Sequence, residues 1–563
     1  MDDANGNDRK DARLVELGRG ARPFLVARGE LASQPRLARS AWILAVASGV
    51  LQSLIYPLPA LSFLAWLALA PVFVAIVRGQ KVAGEDFAPV SARQGFLLGY
   101  VGGVIWSFGT TYWIYHVMHS YGGLDGPTSL GVLILFCLAL GVMWGVFGLL
   151  LAILAKGLLR QKALLLAPFL WVPLEIVRGF PFDFPWDPLG TVVVNNIPLT
   201  RIATATGVYG LSFEIVLVNT AFAAAFLVDA KRRRMVLLAT ICVAGLLQAG
   251  ELVQPARLPA DRTARLVQAN IPILNGEQWT SQYFQSTLRE LNELSVPRPG
   301  ELGPTELSPD LIVWPESPAP FFINNPEFRA AVSEVARRTH ATLVVGSLGL
   351  PNGTQSASQL YNSAAVIAPS GDWIARYDKI HLVPFGEYVP FKRLLSFAGK
   401  LTREVGDFIP GTSRQPLALG DYRMGVFICY EAVYPAEIRE FAKNGAQVFV
   451  NISDDAWFGQ TGAPVQHLNQ ARMRAIENNR WLVRATDTGI TVAIDPYGRV
   501  VAQAARNVRT SIDVPYSVVR GTTFYTRHGN WFVWLCAIIS LIALLATLPF
   551  VRHLLFEGWH FNR

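Results

Sequence analysis

Val426-Phe427-Ile428-Cys429-Tyr430-Glu431 is an apolar run that stops at a thiol, an aromatic ring and an acid. It reads as a buried strand whose end carries a cysteine. Of the four cysteines, Cys137, Cys242 and Cys536 lie inside long apolar runs, and Cys429 alone sits in a polar, globular stretch. Buried, unreactive cysteines are common, so position matters more than residue type here. Two further motifs of the same stretch strengthen the case for a nucleophile. Trp314-Pro315-Glu316 supplies a carboxylate and Tyr377-Asp378-Lys379-Ile380-His381 supplies an ammonium, each at or near an apolar, strand-like segment. A thiol needs a base to lose its proton and a cation to hold a developing oxyanion, so an acid, a lysine and a cysteine suffice for acyl transfer.

Outward from Cys429, short β-branched runs alternate with polar helical stretches from residue 262 onward. Strands are expected over 264–268, 311–314, 342–346, 363–368, 424–429, 448–452, 481–485 and 491–494, and helices over 283–294, 326–338, 435–443 and 465–478. Such alternation predicts a layered α/β domain. Pro369-Ser370-Gly371 and Pro496-Tyr497-Gly498 each follow a strand and signal hairpin turns.

The rest of the chain is of another kind. Of 563 residues, 52% are hydrophobic and only 16% charged, against roughly 25% charged in soluble domains. The mean hydropathy of +0.32 is moderate, which suits a membrane part joined to a water-soluble part. Apolar stretches that can cross a bilayer, about 20 residues each, begin near residues 41, 61, 94, 130, 163, 206 and 235, with another near 531. This pattern predicts an α-helical polytopic bundle of about eight spans carrying the α/β domain. The first apolar run starts some forty residues in and is followed at once by a second, so no cleavable leader is expected.

Basic residues cluster in the amino-terminal tail, at Arg78 and Lys81, at Lys156, Arg160 and Lys162, and at Lys231. They alternate with loops poor in cations, a topology signal that places these segments in the cytoplasm. The expected organisation is a basic, disordered cytoplasmic tail (1–39), a membrane domain of about seven helices (40–254), a periplasmic catalytic domain (255–530), a last span (531–550) and a cytoplasmic tail (551–563). The net charge of +8 follows this topology and is no nucleic-acid signature. Glu175, Arg178, Asp183, Asp187, Asn195 and Asn196 lie around the fifth and sixth spans, where they either serve a head group or reach interfacial water.

Longer motifs point to a family. Trp314-Pro315-Glu316, the run Asp378-Lys379-Ile380-His381-Leu382-Val383-Pro384-Phe385-Gly386-Glu387-Tyr388-Val389-Pro390, and Ile428-Cys429-Tyr430-Glu431 resemble the Glu, Lys and Cys blocks of the nitrilase superfamily. With Asn451-Ile452-Ser453-Asp454-Asp455-Ala456-Trp457-Phe458-Gly459 and the flanking spans, the chain resembles the bacterial apolipoprotein N-acyltransferases from about Ala41 onward. The resemblance implies an αββα sandwich set on eight membrane helices of the bacterial inner membrane.

It also implies roles. Glu316 would be the general base, and Lys379 would hold the oxyanion together with a backbone N–H, that of Tyr430, while Cys429 attacks. Glu387 would support the lysine and Glu431 orient the network; either residue otherwise only balances the charge of Lys379. Trp279, Tyr388, Tyr430 and Trp457 resemble aromatic positions around the family's site, although aromatic rings are more often core. His381 and His467 invite a cysteine–histidine pairing that is not required once Glu316 is the base. No metal-ligand spacing and no cofactor-binding loop is legible.

The implied reaction is two-step acyl transfer from a membrane phospholipid, phosphatidylethanolamine foremost, to the N-terminal diacylglyceryl-cysteine of an apolipoprotein through a Cys429 thioester. Two rivals stand beside it. A membrane-tethered amidase or nitrile hydrolase would use the same residues with water as acceptor, yet needs one span and not eight. A transporter or scaffold would not depend on Cys429.

Overall fold

The computed structural model describes residues 36–549 except 57–58, 83–84, 275–278, 298–307, 352–358, 385 and 389–407. The tail up to residue 35, the last residues from 550 on, and Phe385, Val389 and Pro390 of the lysine block lie outside the described residues.

Each expected strand and helix of the polar stretch is present. One six-stranded sheet runs in the order Val500–Gln503, Val492–Ile494, Leu482–Thr486, Val448–Ser453, Tyr422–Ile428, Leu417–Leu419, with its three middle strands parallel. The other runs Thr510–Tyr516, Arg262–Gln268, Leu311–Val313, Thr342–Gly349, Tyr361–Ile367, Trp373–Asp378. The two proline–glycine turns join the antiparallel pairs Tyr361–Ile367 with Trp373–Asp378 and Val492–Ile494 with Val500–Gln503.

Alternation along the strands assigns the layers. Leu311 and Val313 share a core with Val426, Ile428, Val450 and Ile452 of the facing sheet. Ile312 points the other way, into a core with Leu288 and Leu291 of helix Ser281–Ser295 and Val332 and Val335 of helix Pro326–Thr339. Helices Pro435–Lys443 and Ala463–Asn478 cover the other sheet through Ile438, Phe441, Leu468 and Ala471. Strands buried on both faces need continuous apolar runs, which is why they were legible.

In the apolar part, Ala60–Arg78, Gly126–Gly157, Val208–Leu227 and Ala230–Leu252 are long and apolar enough to cross a membrane, and Arg39–Ile55 and Trp531–Leu545 are apolar but shorter. Helices Ala92–Thr111 and Arg160–Val177 stand at the remaining expected positions. Ala92–Thr111 crosses Gly126–Gly157 at backbone contact: a Cβ on Gly99 would sit 2.2 Å from the carbonyl oxygen of Trp144. Small residues at such a crossing let helices pack where the solvent is itself apolar.

Of the polar residues around the fifth and sixth spans, Asn195 is exposed and Asp183 half-buried, whereas the other four turn inward. Glu175, Arg178, Asp187 and Asn196 are buried, and they hold the connecting loop: Glu175 accepts from the Leu189 N–H at 2.7 Å, and Arg178 donates to the carbonyl of Trp186. That loop meets the catalytic domain. The hydroxyls of Tyr430 and Tyr434 both donate to the Asp183 carbonyl at 2.8 Å, and Trp186 Nε1 donates to Gln466 Oε1 at 2.8 Å. The Cys429 end of the sandwich is thereby seated on the membrane part.

Candidate active site

Three strand ends build the site. Leu311–Val313 runs into Trp314, whose buried indole donates to Ser295 Oγ at 2.7 Å. Pro315 cannot continue a ladder, and the chain turns so that Glu316 leaves the end of this inner strand. The neighbouring strand makes room at Gly346, where a Cβ would lie 2.2 Å from both the Pro315 carbonyl oxygen and the Ser317 nitrogen. Lys379 follows strand Trp373–Asp378, and its backbone N–H donates to the Asn362 carbonyl at 2.8 Å. Cys429 follows strand Tyr422–Ile428 with φ of +51°, a left-handed turn unusual for a residue with a side chain.

The side chains converge. Lys379 Nζ donates to Glu316 Oε1 at 3.1 Å and to Glu387 Oε1 at 2.9 Å. The second oxygen of Glu316 accepts from the Asp454 N–H at 2.9 Å, and that of Glu387 from the Val383 N–H at 2.7 Å. Lys379 is buried to 1% exposure. Burial works against its ammonium, but Glu316, Glu387 and Cys429 outweigh burial and hold its pKa well above the ordinary lysine value. At Cys429, burial first and the Glu316 charge second push the thiol well above its usual range, with Lys379 pulling the other way. The resting thiol is therefore neutral, and attack requires a base at that moment.

Glu431 is buried and touches neither Glu316 nor Glu387. It accepts from the N–H groups of Ile428, Ile380 and His381 at 2.7, 2.6 and 3.2 Å, and from the Tyr377 hydroxyl at 2.7 Å. It thus ties the cysteine turn to the backbone beside Lys379. Burial raises its pKa, against the pull of those donors.

The aromatic candidates separate. Tyr430 stacks near Trp186 at 6.2 Å between ring centroids. Tyr388 packs against the small core of Leu360, Leu382 and Phe408, and Trp457 meets Tyr121 of the membrane part edge-on at 5.3 Å. Trp279 lies against Tyr283 on the outer-helix side, packed on the core of Trp314 and Phe321. His381 donates to Glu437 at 3.0 Å and stacks on Tyr434.

Two groups were missed by sequence reasoning. The Asn362 amide donates to Glu316 Oε1 at 2.7 Å and Glu387 Oε1 at 2.8 Å, and ionised carboxylates only accept, so its nitrogen faces them. In sequence it stands just before the strand expected over 363–368, with no signal of its own, and only strand pairing brings it beside the lysine. The other group is one that no metal-ligand spacing in the sequence announced: Cys429, Asp455 and His467 bring ligand-type atoms within 4.8 Å of one another. Residues 26 and 12 apart in sequence give no spacing signal for this. Asp455 already faces the guanidinium of Arg484 at 2.9 Å, which supplies the positive charge a metal ion would bring.

The two parts of the chain match different family models. A model described as "Carbon-nitrogen hydrolase" matches residues 263–520, and one described as "Apolipoprotein N-acyltransferase N-terminal domain" matches 48–221. An apolipoprotein N-acyltransferase of Geobacter metallireducens is 36% identical over 524 residues, 91% of this chain and 96% of that protein. The chain belongs to the apolipoprotein N-acyltransferase family. The apolipoprotein N-acyltransferase of Methylococcus capsulatus is 31% identical over 481 residues, 84% of this chain and 92% of its own. An amidase of known structure from Nesterenkonia sp. matches at 19% identity and a TM-score of 0.35, over 50% of this chain and 98% of that one. As an apolipoprotein N-acyltransferase family member, the chain is an acyltransferase whose carbon–nitrogen hydrolase domain holds Glu316, Lys379 and Cys429.

Proposed function

We propose that this chain N-acylates the N-terminal diacylglyceryl-cysteine of apolipoproteins by a two-step transfer through a thioester on Cys429, with a membrane phospholipid such as phosphatidylethanolamine as donor. Cys429 Sγ attacks the ester carbonyl carbon while its proton passes to Glu316. Lys379 and the Tyr430 N–H hold the oxyanion. The C–O bond breaks, the proton returns to the departing lysophospholipid, and an acyl thioester remains. The α-amine of the acceptor then forms the C–N bond, the C–S bond breaks, and Glu316 carries the amine's proton back to sulfur. Glu387 supports Lys379 throughout, and the aromatic rings of Tyr388, Tyr430 and Trp457 line the approach.

The observation that carries this reading is the seating of the nucleophile. The residue after Cys429 hydrogen-bonds the loop that follows helix Arg160–Val177. Substrates that keep acyl chains in lipid, at roughly 0.8 kcal/mol per buried CH₂, can then present a head group or an amine without extraction. Eight spans fit this arrangement: seven helices over 40–254, a catalytic domain over 255–530 on the periplasmic face of the inner membrane, and a last span over 531–550 that returns the chain to the cytoplasm.

Intact-protein mass spectrometry after incubation with phosphatidylethanolamine, comparing wild type with Cys429→Ser, tests it. The expected result is one added fatty acyl group that is absent from the variant and discharged by a diacylglyceryl-cysteine peptide. No adduct with any phospholipid, together with turnover of simple amides or nitriles, would put the tethered hydrolase in its place.

A further inference from the structure

The backbone of Cys429 is strained and must be held. A left-handed conformation is unfavourable for a residue with a side chain, and it persists only where its surroundings determine it. Glu431 holds the turn from one side through the Ile428 N–H at 2.7 Å. On the other side, His467 Nε2 lies 3.0 Å from the Cys429 carbonyl oxygen. A carbonyl only accepts, so this nitrogen carries the hydrogen and is not free to take the thiol's proton.

Behind His467 stands a closed polar network. Its Nδ1 lies 2.9 Å from Asp455 Oδ1 and 3.1 Å from Arg484 Nη2. Asp455 also accepts from Ser453 Oγ at 2.9 Å. Arg484 donates to Asn451 Oδ1, and Asn451 Nδ2 donates to the Phe427 carbonyl at 3.0 Å, on the strand that leads into Cys429. The network therefore spans the three parallel strands and returns to its starting point. The side chains of His467, Asp455 and Arg484 are wholly buried. Withdrawing this much charge from water is costly, and three apolar residues would fill a core as well.

We infer that His467, oriented by Asp455 and Arg484, is a positioning residue that fixes the Cys429 carbonyl and so aims the thiol at the acyl carbon. The inference deepens the acyl-transfer reading and rests on it. The adjoining Gln466 accepts from Trp186 of the membrane loop, so one helical turn holds both the nucleophile and the membrane contact.

The test separates the two ends of the imidazole. In His467→Gln the amide nitrogen stands near the place of Nε2 and can still reach the Cys429 carbonyl, whereas in His467→Asn it stands near Nδ1 and cannot. Both are compared with wild type for the single-turnover rate of lipid adduct formation and for alkylation of Cys429 by iodoacetamide, which needs the thiol's placement but no lipid. The expected result is His467→Gln within about tenfold of wild type and His467→Asn about a hundredfold slower, the loss known for a reacting group misplaced by about 1 Å, with the donor concentration at half-saturation unchanged. Equal rates in the two variants, a faster Asn variant, or failure of both to fold would overturn the positioning role. A wild type that is alkylated yet takes no acyl group refutes the donor reading instead, and the Gln-against-Asn contrast in alkylation still decides the inference.

Discussion

Asn362→Ala should slow acylation of Cys429 far more than it destabilises the protein. The Asn362 amide donates to Glu316 at 2.7 Å and to Glu387 at 2.8 Å, in parallel with Lys379. Without it, two carboxylates face each other across one ammonium. Hydrogen bonds to charged groups are worth about 1.5–3 kcal/mol each, so the two together set a ceiling of about 3–6 kcal/mol. Glu316 and Glu387 keep 10% and 9% side-chain exposure, which lets water restore part of this. About 2–3 kcal/mol is left to appear in the barrier, a loss of roughly 30- to 150-fold in rate. The backbone bond from the Lys379 N–H to the Asn362 carbonyl, 2.8 Å, does not involve the deleted amide and should survive. The assay is the single-turnover appearance of the acyl adduct by intact mass, with thermal unfolding run alongside. Acylation within threefold of wild type would refute the reasoning, as would a rate loss matched by an equal loss of folding stability.

Two further outcomes follow from the same geometry. Glu431→Gln sets an NH₂ group against at least one of four donors that now meet a carboxylate, and should cost about 2–4 kcal/mol of stability along with activity; a denaturation midpoint unchanged from wild type would contradict the assigned role. The His381–Glu437 pair makes stability depend on pH. Burial opposes the charge on His381, but Glu437 outweighs it and raises the histidine's pKa; burial likewise opposes the charge on Glu437, but His381 and Arg414 lower its pKa. The histidine's contribution is full below its ordinary value near 6.5 and is lost as pH rises through the raised value; the glutamate's is full above its ordinary value near 4.5 and is lost as pH falls through the lowered one. The stability difference between wild type and His381→Gln, about 1 kcal/mol at most for a partly exposed pair, should therefore shrink as unfolding is followed from neutral to alkaline pH. A constant difference would show that the pair does not titrate as described.

The strands of the α/β domain that sequence patterns missed share one property. Trp373–Asp378, Leu417–Leu419, Val500–Gln503 and Thr510–Tyr516 are the four edges of the two sheets. An edge strand is covered on fewer sides, so it mixes polar and apolar residues, as with Ile374, which is half exposed in Trp373–Asp378. The inner strands, buried on both faces, are runs of apolar residues that any reader of the chain can see.

The site divides along a similar line. Sequence by itself determined the α/β layering, the places of the apolar helices, and the Glu316, Lys379, Glu387 and Cys429 blocks, because strand burial, bilayer thickness and block motifs are written in contiguous residues. Only the tertiary structure decided that Asn362 bridges two carboxylates, that Glu431 grips backbone on both sides of the site, and that His467, Asp455 and Arg484 close behind the nucleophile. These contacts join residues tens of positions apart, where single polar side chains carry no periodic signal. Their meaning arises when folding removes the water that would otherwise bind them and leaves each only one another as partners.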